Sequence, residues 1–74
     1  MPWSDEDRLR IEEHIAQARQ YISRQQRRIE EMQREGRDTS DAEGLLRTMR
    51  QTLVLLVRHL AAIEVDLESD RHGG

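Results

Sequence analysis

Residues 46–67 read LRTMRQTLVLLVRHLAAIEVDL, and apolar side chains recur in this segment at steps of three and four. Such steps place side chains on one side of an α-helix, so the segment predicts an amphipathic helix. Residues 15–32 repeat the rhythm more sparsely, with an amide among the apolar positions. The two rows consist of Ile15, Ala18, Ile22, Gln25, Ile29 and Met32 in the first segment and of Leu46, Met49, Leu53, Leu56, Leu60, Ile63 and Leu67 in the second.

Capping residues mark where both helices begin and end. Ser4 precedes three acidic residues, as expected of an N-cap at the positive end of a helix dipole. Gly36 suits the left-handed position that follows many helices. The second helix begins near Ser40, with Asp38 or Thr39 as alternative caps. The sequence therefore predicts one domain over residues 1–74, with helix 1 at about 5–35, a turn at 36–40, helix 2 at about 41–69 and a frayed tail at 70–74.

Two helices of matched length joined by a short turn form an antiparallel αα-hairpin, so we expect an all-α fold. Helix 2 is apolar on every side between Leu53 and Val57, which is typical of a helix buried all round. Because the narrow apolar row of helix 1 cannot cover it, we expect a homodimeric four-helix bundle. The residues expected to mediate self-association are Leu46, Met49, Leu53, Val54, Leu56, Val57, Leu60 and Ile63.

Gln25 is the polar member of the helix 1 row. A buried polar side chain in such a row can fix the register and the number of partners. A side chain at the edge of the row would instead reach water. The sequence leaves both interpretations open.

The composition argues against catalysis. The 74 residues contain no cysteine, which excludes a disulfide framework, a thiolate metal site and a cysteine nucleophile. The sequence has no glycine-rich phosphate loop and no HExxH motif, and neither His14 nor His59 has a second ligand three or four residues away. We therefore expect no enzyme activity, no metal, no cofactor and no small-molecule substrate.

The N-terminal sequence MPWSDEDRLR lacks the basic and apolar regions of a signal peptide. The longest nearly apolar stretch, residues 53–63, is interrupted by Arg58 and His59 and is too short to span a bilayer. A cytoplasmic protein without membrane contact is therefore the expectation.

Helix 1 also carries a polar face that is rich in arginine and glutamine. These side chains can contact phosphates, base edges or an acidic protein surface. The net charge of −3 and the scarcity of aromatic residues for base stacking argue against nucleic acid as the partner. The candidate partner-binding face comprises Gln17, Gln20, Arg24, Arg27 and Arg34.

Several short patterns lie between residues 14 and 63. The first helix contains HIAQARQYISRQQRRIEEM, the turn has a G-x-D-T pattern at Gly36, Asp38 and Thr39, and the second helix contains LL and T-L pairs. In these features the chain resembles a group of small helical-hairpin proteins from rhizobium-like alphaproteobacteria. The resemblance implies a hairpin fold and a bacterial, cytosolic origin. It implies no activity, cofactor or ligand.

Together these features predict a non-catalytic helical hairpin that self-associates and acts as a structural or protein–protein interaction module. Two alternatives stay open at this point. One is an RNA- or DNA-binding regulator that uses the arginine and glutamine face of helix 1. The other is a small stabilising subunit of a larger complex.

Overall fold

The chain folds into a rod of two packed helices. The computed structural model describes residues 3–73, with side chains through Arg71. Helix α1 spans Asp5–Arg34 and helix α2 spans Ser40–Gly73. They pack against each other in a hairpin that measures 60 × 15 × 14 Å, which confirms the predicted all-α hairpin. Among the described residues, neither helix has an apolar segment long enough to cross a bilayer.

A capping box begins α1 at the predicted residue. The Ser4 backbone is extended, with φ −121° and ψ 167°, and its hydroxyl accepts a hydrogen bond from the Asp7 backbone N–H. In return, the Asp7 carboxylate accepts from the Ser4 backbone N–H at 2.9 Å. This exchange gives partners to N–H groups that a helix start leaves without intrahelical acceptors.

A Schellman motif ends α1 at the predicted glycine. Gly36 has φ +71°, the left-handed conformation in which a side chain is strained. Its N–H donates to the Gln33 carbonyl at 3.1 Å, and the Arg37 N–H donates to the Met32 carbonyl at 2.9 Å. These two bonds close the last turn of α1 and reverse the chain toward α2.

Asp38, one of the alternative caps, supplies the side-chain acceptor at the start of α2. Its Oδ1 accepts from the Ser40 N–H at 3.0 Å and from the Ser40 hydroxyl at 2.7 Å. The Thr39 carbonyl accepts the first backbone bond, from the Glu43 N–H at 2.8 Å. Ser40 is therefore already inside the helix, and the turn occupies residues 35–39, one position earlier than predicted.

Helix α2 continues to Gly73, beyond the predicted end near residue 69. The backbone is thus helical through residues 70–73, where the sequence predicted a frayed tail, whereas Gly74 lies outside the described residues. Leu67 is buried against α1, and the Arg71 guanidinium lies 3.5 Å from the Asp5 carboxylate. Because α1 lies alongside this last part of α2, contacts across the hairpin favour the extension.

The core is a single row of contacts between the helices. One cluster near the turn joins Ile22 and Ile29 to Leu46, with half-buried side chains around it. Toward the open end, Ile63 is the one described side chain that is fully buried, at 0 % exposure. The buried apolar residues are Ile15, Ile22, Ile29, Leu46, Ile63 and Leu67.

Candidate interaction surface

The structure divides the residues predicted to mediate self-association into two groups. Leu46 and Ile63 are buried within the single hairpin, so they stabilise its core and are not offered to a second chain. Val54 and Val57 are exposed by 48 % and 42 %. The half-buried members are Met49, Leu53, Leu56 and Leu60.

The apolar row of each helix, identified in the sequence, forms the contact between α1 and α2, and we call it the seam. Some exposed apolar residues of α2 follow a seam residue by one position. Val54 follows Leu53 and Val57 follows Leu56 in the sequence. One residue turns the direction by about 100° around a helix, so these side chains lie beside the contact with α1. We call this row the α2 stripe, and it comprises Arg47, Arg50, Val54, Val57, Ala61, Glu64 and Glu68.

All seven stripe positions are exposed in the hairpin. Two arginines occupy the end near the turn, three small apolar residues the middle, and two glutamates the far end. Val65, next to the stripe, is exposed by 61 % and extends its apolar part. Among residues 3–71, neither Arg50 nor Glu64 forms an ion pair within the chain.

The opposite edge of α2 has a different character. Leu45 and Leu55 are exposed there by 50 % and 64 %. At the level of His59, however, the Trp3 ring packs edge-on against the imidazole, with ring centroids 5.0 Å apart and planes at 73°. The chain therefore covers part of this edge with its own tryptophan, whereas Val54 and Val57 of the α2 stripe are exposed.

The hairpin exposes far more surface than a compact monomer does. Its accessible surface is 5816 Å², about 1,000 Å² above the roughly 4,800 Å² expected for a monomer of 8.8 kDa. Its Cα radius of gyration is 17.1 Å, against about 11 Å for a globular chain of this length. A standard protein–protein interface buries about 800 Å² of accessible surface on each partner. The excess surface of the hairpin is therefore large enough to form one such interface.

Gln25 is buried, which settles the question that the sequence left open. Its Nε2 donates a hydrogen bond of 2.9 Å to the Ala42 carbonyl at the start of α2. The bond joins the two helices and can form only when Gln25 and Ala42 lie at the same level. It therefore favours a single register of α2 on α1, at the end of the hairpin nearest the turn.

The candidate partner-binding face of α1 is exposed at all five of its residues, Gln17, Gln20, Arg24, Arg27 and Arg34. Arg24 and Arg27 border one shallow depression with Arg28 and Arg37, but Glu31 and Glu35 line it too. Arg34 bonds its own helix, its Nε donating to the Glu30 carbonyl at 3.4 Å. The face is thus a mixture of charges.

Two carboxylates among the described residues have lowered pKa values, and both accept hydrogen bonds from a serine at the start of a helix. Hydrogen bonds from the Ser4 backbone and hydroxyl hold the pKa of Asp7 below its usual value. Hydrogen bonds from the Ser40 backbone and hydroxyl do the same for the pKa of Asp38. The hydrogen bonds that cause these shifts stabilise the starts of α1 and α2. Among the described residues, no three His, Asp or Glu side chains are grouped to hold a metal ion.

The site residues predicted from the sequence include the valines of the stripe but none of its charged residues. The signal was available, because every stripe residue immediately follows a seam residue. Comparison with known proteins adds no further candidate. No protein-family model matches the chain, and no curated protein or solved structure matches it.

Proposed function

We propose that this chain is a non-catalytic helical hairpin that self-associates as a dimer and acts as a structural or protein–protein interaction module in the cytoplasm. The observation that carries the proposal is the exposed apolar surface of α2. Val65, Val54 and Val57 expose roughly half of their side chains to water, at 61 %, 48 % and 42 %.

Self-association accounts for this surface in a way that a monomer does not. Burying apolar area stabilises by about 25 cal/mol per Å². A second hairpin packed along α2 would also convert a single layer of two helices into a four-helix bundle, in which the helices surround a shared core. A dimer therefore supplies the second layer of packing that the single hairpin lacks.

The arginine face of α1 supports nucleic-acid binding less well. Glu31 and Glu35 share the depression that Arg24 and Arg27 line, and they would repel phosphates. The acidic net charge of −3 acts in the same direction at long range. We therefore favour a protein partner, a second copy of the chain, over RNA or DNA.

Light scattering behind a sizing column, over a wide range of concentrations, tests the proposal. We expect a mass near twice 8.8 kDa for the native chain. Val57→Asp should lower the mass toward that of one chain while circular dichroism still reports helix, because Val57 is 42 % exposed in the hairpin. Arg24→Ala is the control on an exposed polar position and should leave the mass unchanged.

A native mass of 8.8 kDa at every concentration would refute the dimer. If that chain were also loosely packed, the exposed surface of α2 would belong to a different protein, and the hairpin would act as a subunit of a larger complex. Salt-sensitive retention on nucleic acid would instead support the regulator that the sequence left open.

A further inference from the structure

The α2 stripe has a charge order that is complementary to itself when reversed. Its basic end holds Arg47 and Arg50, its acidic end holds Glu64 and Glu68, and small apolar residues separate them. A second copy of the stripe running in the opposite direction would place each basic end against an acidic end. A second copy running in the same direction would place like charges together.

We propose that the occupant of the α2 stripe is the stripe of a second copy, packed antiparallel about a two-fold axis near Val57. This inference rests on the proposed self-association and specifies its surface and direction. In this arrangement, residues whose numbers sum to about 115 lie at the same level. Arg47 then faces Glu68 of the second copy, Arg50 faces Glu64 and Val65, and Val54 faces Ala61.

The side chains in the middle of the stripe suit a close helix contact. Val54, Val57 and Ala61 are small or β-branched, so two helix axes can approach to about 8–10 Å. The contact is isologous, since each residue pair occurs twice across the two-fold axis. Each favourable pair of charges therefore contributes twice to the dimer.

Pairing α2 with α1 of the second copy is less favourable. The edge of α1 on the same side of the hairpin presents Arg19, Ser23, Gln26 and Glu30, which follow the seam residues of α1 by one position. Val54 and Val57 would then cover these polar side chains, which would lose their hydrogen bonds to water. The opposite edge of α2 is already in contact with Trp3 of the same chain at His59.

Charge reversal tests the direction of packing. Arg50→Glu and Glu64→Arg each place like charges at two symmetric contacts in the antiparallel dimer. We expect either change alone to raise the dimer dissociation constant by about 30-fold. The double variant Arg50→Glu/Glu64→Arg restores opposite charges, and its dissociation constant should return to within about threefold of the native value. Mixing the two single variants should likewise yield a heterodimer tighter than either homodimer.

Arg24→Glu provides the matched control, because it makes the same change of charge on an exposed residue outside the stripe. It should leave the dissociation constant, measured by sedimentation equilibrium, near the native value. If Arg24→Glu weakened the dimer and the stripe variants did not, the interface would lie elsewhere.

The possible outcomes separate the two proposals. A native chain that stays at 8.8 kDa overturns self-association and the antiparallel packing together. A native dimer that neither single reversal weakens overturns the antiparallel packing alone, as does a double variant that fails to recover. Rescue by the double variant is the result that supports it, since parallel packing would leave like charges opposed in every one of these homodimers.

Discussion

Ile63 and Leu55 offer a matched test of which apolar residues hold the hairpin together. Mutation of either residue to alanine deletes three carbon atoms, yet Ile63 is fully buried and Leu55 is 64 % exposed. At about 0.8 kcal/mol per buried carbon, Ile63→Ala forfeits about 2.4 kcal/mol of transfer free energy. The cavity it leaves raises the loss in free energy of unfolding to about 3 kcal/mol.

Leu55→Ala should cost much less. Only about a third of its side chain is removed from water in the hairpin, so the same arithmetic gives about 0.9 kcal/mol. Leu55 also lies on the edge of α2 opposite the stripe, and the antiparallel dimer leaves it exposed. The two variants therefore differ by about 2 kcal/mol although they delete equal numbers of atoms.

Thermal unfolding followed by circular dichroism at fixed protein concentration measures this difference, because dimer stability depends on concentration. For a chain of 74 residues, 1 kcal/mol corresponds to about 6 °C in Tm, so Ile63→Ala should lower Tm by nearly 20 °C and Leu55→Ala by about 6 °C. Equal losses for the two variants would refute the assignment of Ile63 to the hairpin core. A larger loss for Leu55→Ala would show that its edge of α2 is the covered one.

Two further predictions concern the helix ends and use similar measurements. A Cβ at Gly36 or Gly44 meets nothing within 4 Å, so backbone conformation alone decides the effect of an alanine there. Gly36→Ala should lower the free energy of unfolding by about 1 kcal/mol because φ is +71°, whereas Gly44→Ala should raise it by up to about 1 kcal/mol because alanine favours a helix over glycine. A loss of stability in both variants would contradict this conformational explanation. Because hydrogen bonds lower the pKa of Asp7 and Asp38 in the folded state, their stabilisation is present above the unfolded value near 3.8 and is lost as pH falls through the lower folded pKa. Acid titration of Tm should show this loss, and Asp7→Asn/Asp38→Asn should lose less Tm than the native chain over the same pH range; an unchanged acid dependence would refute the capping role.

The sequence determined the helices and their ends because the forces involved are local. Steps of three and four define an apolar row whatever the chain packs against, and a glycine after a helix favours the left-handed turn by its own backbone freedom. The predicted starts and stops near Ser4 and Gly36 are accordingly confirmed. Where the end of a helix depended on its neighbour, at residues 70–73, local reasoning stopped α2 too early.

Only the tertiary structure decided which side of each helix packs against the other helix of the hairpin. In the middle of α2, seam and stripe residues are neighbours in the sequence, as with Leu53 and Val54 or Leu56 and Val57, and both kinds are apolar there. The sequence pattern cannot distinguish buried seam residues from exposed stripe residues, because burial depends on where α1 lies. The structure places Leu46 and Ile63 inside and leaves the valines exposed. It also buries Gln25 and gives its amide a carbonyl on the other helix, a partner 17 residues away that helical periodicity does not identify.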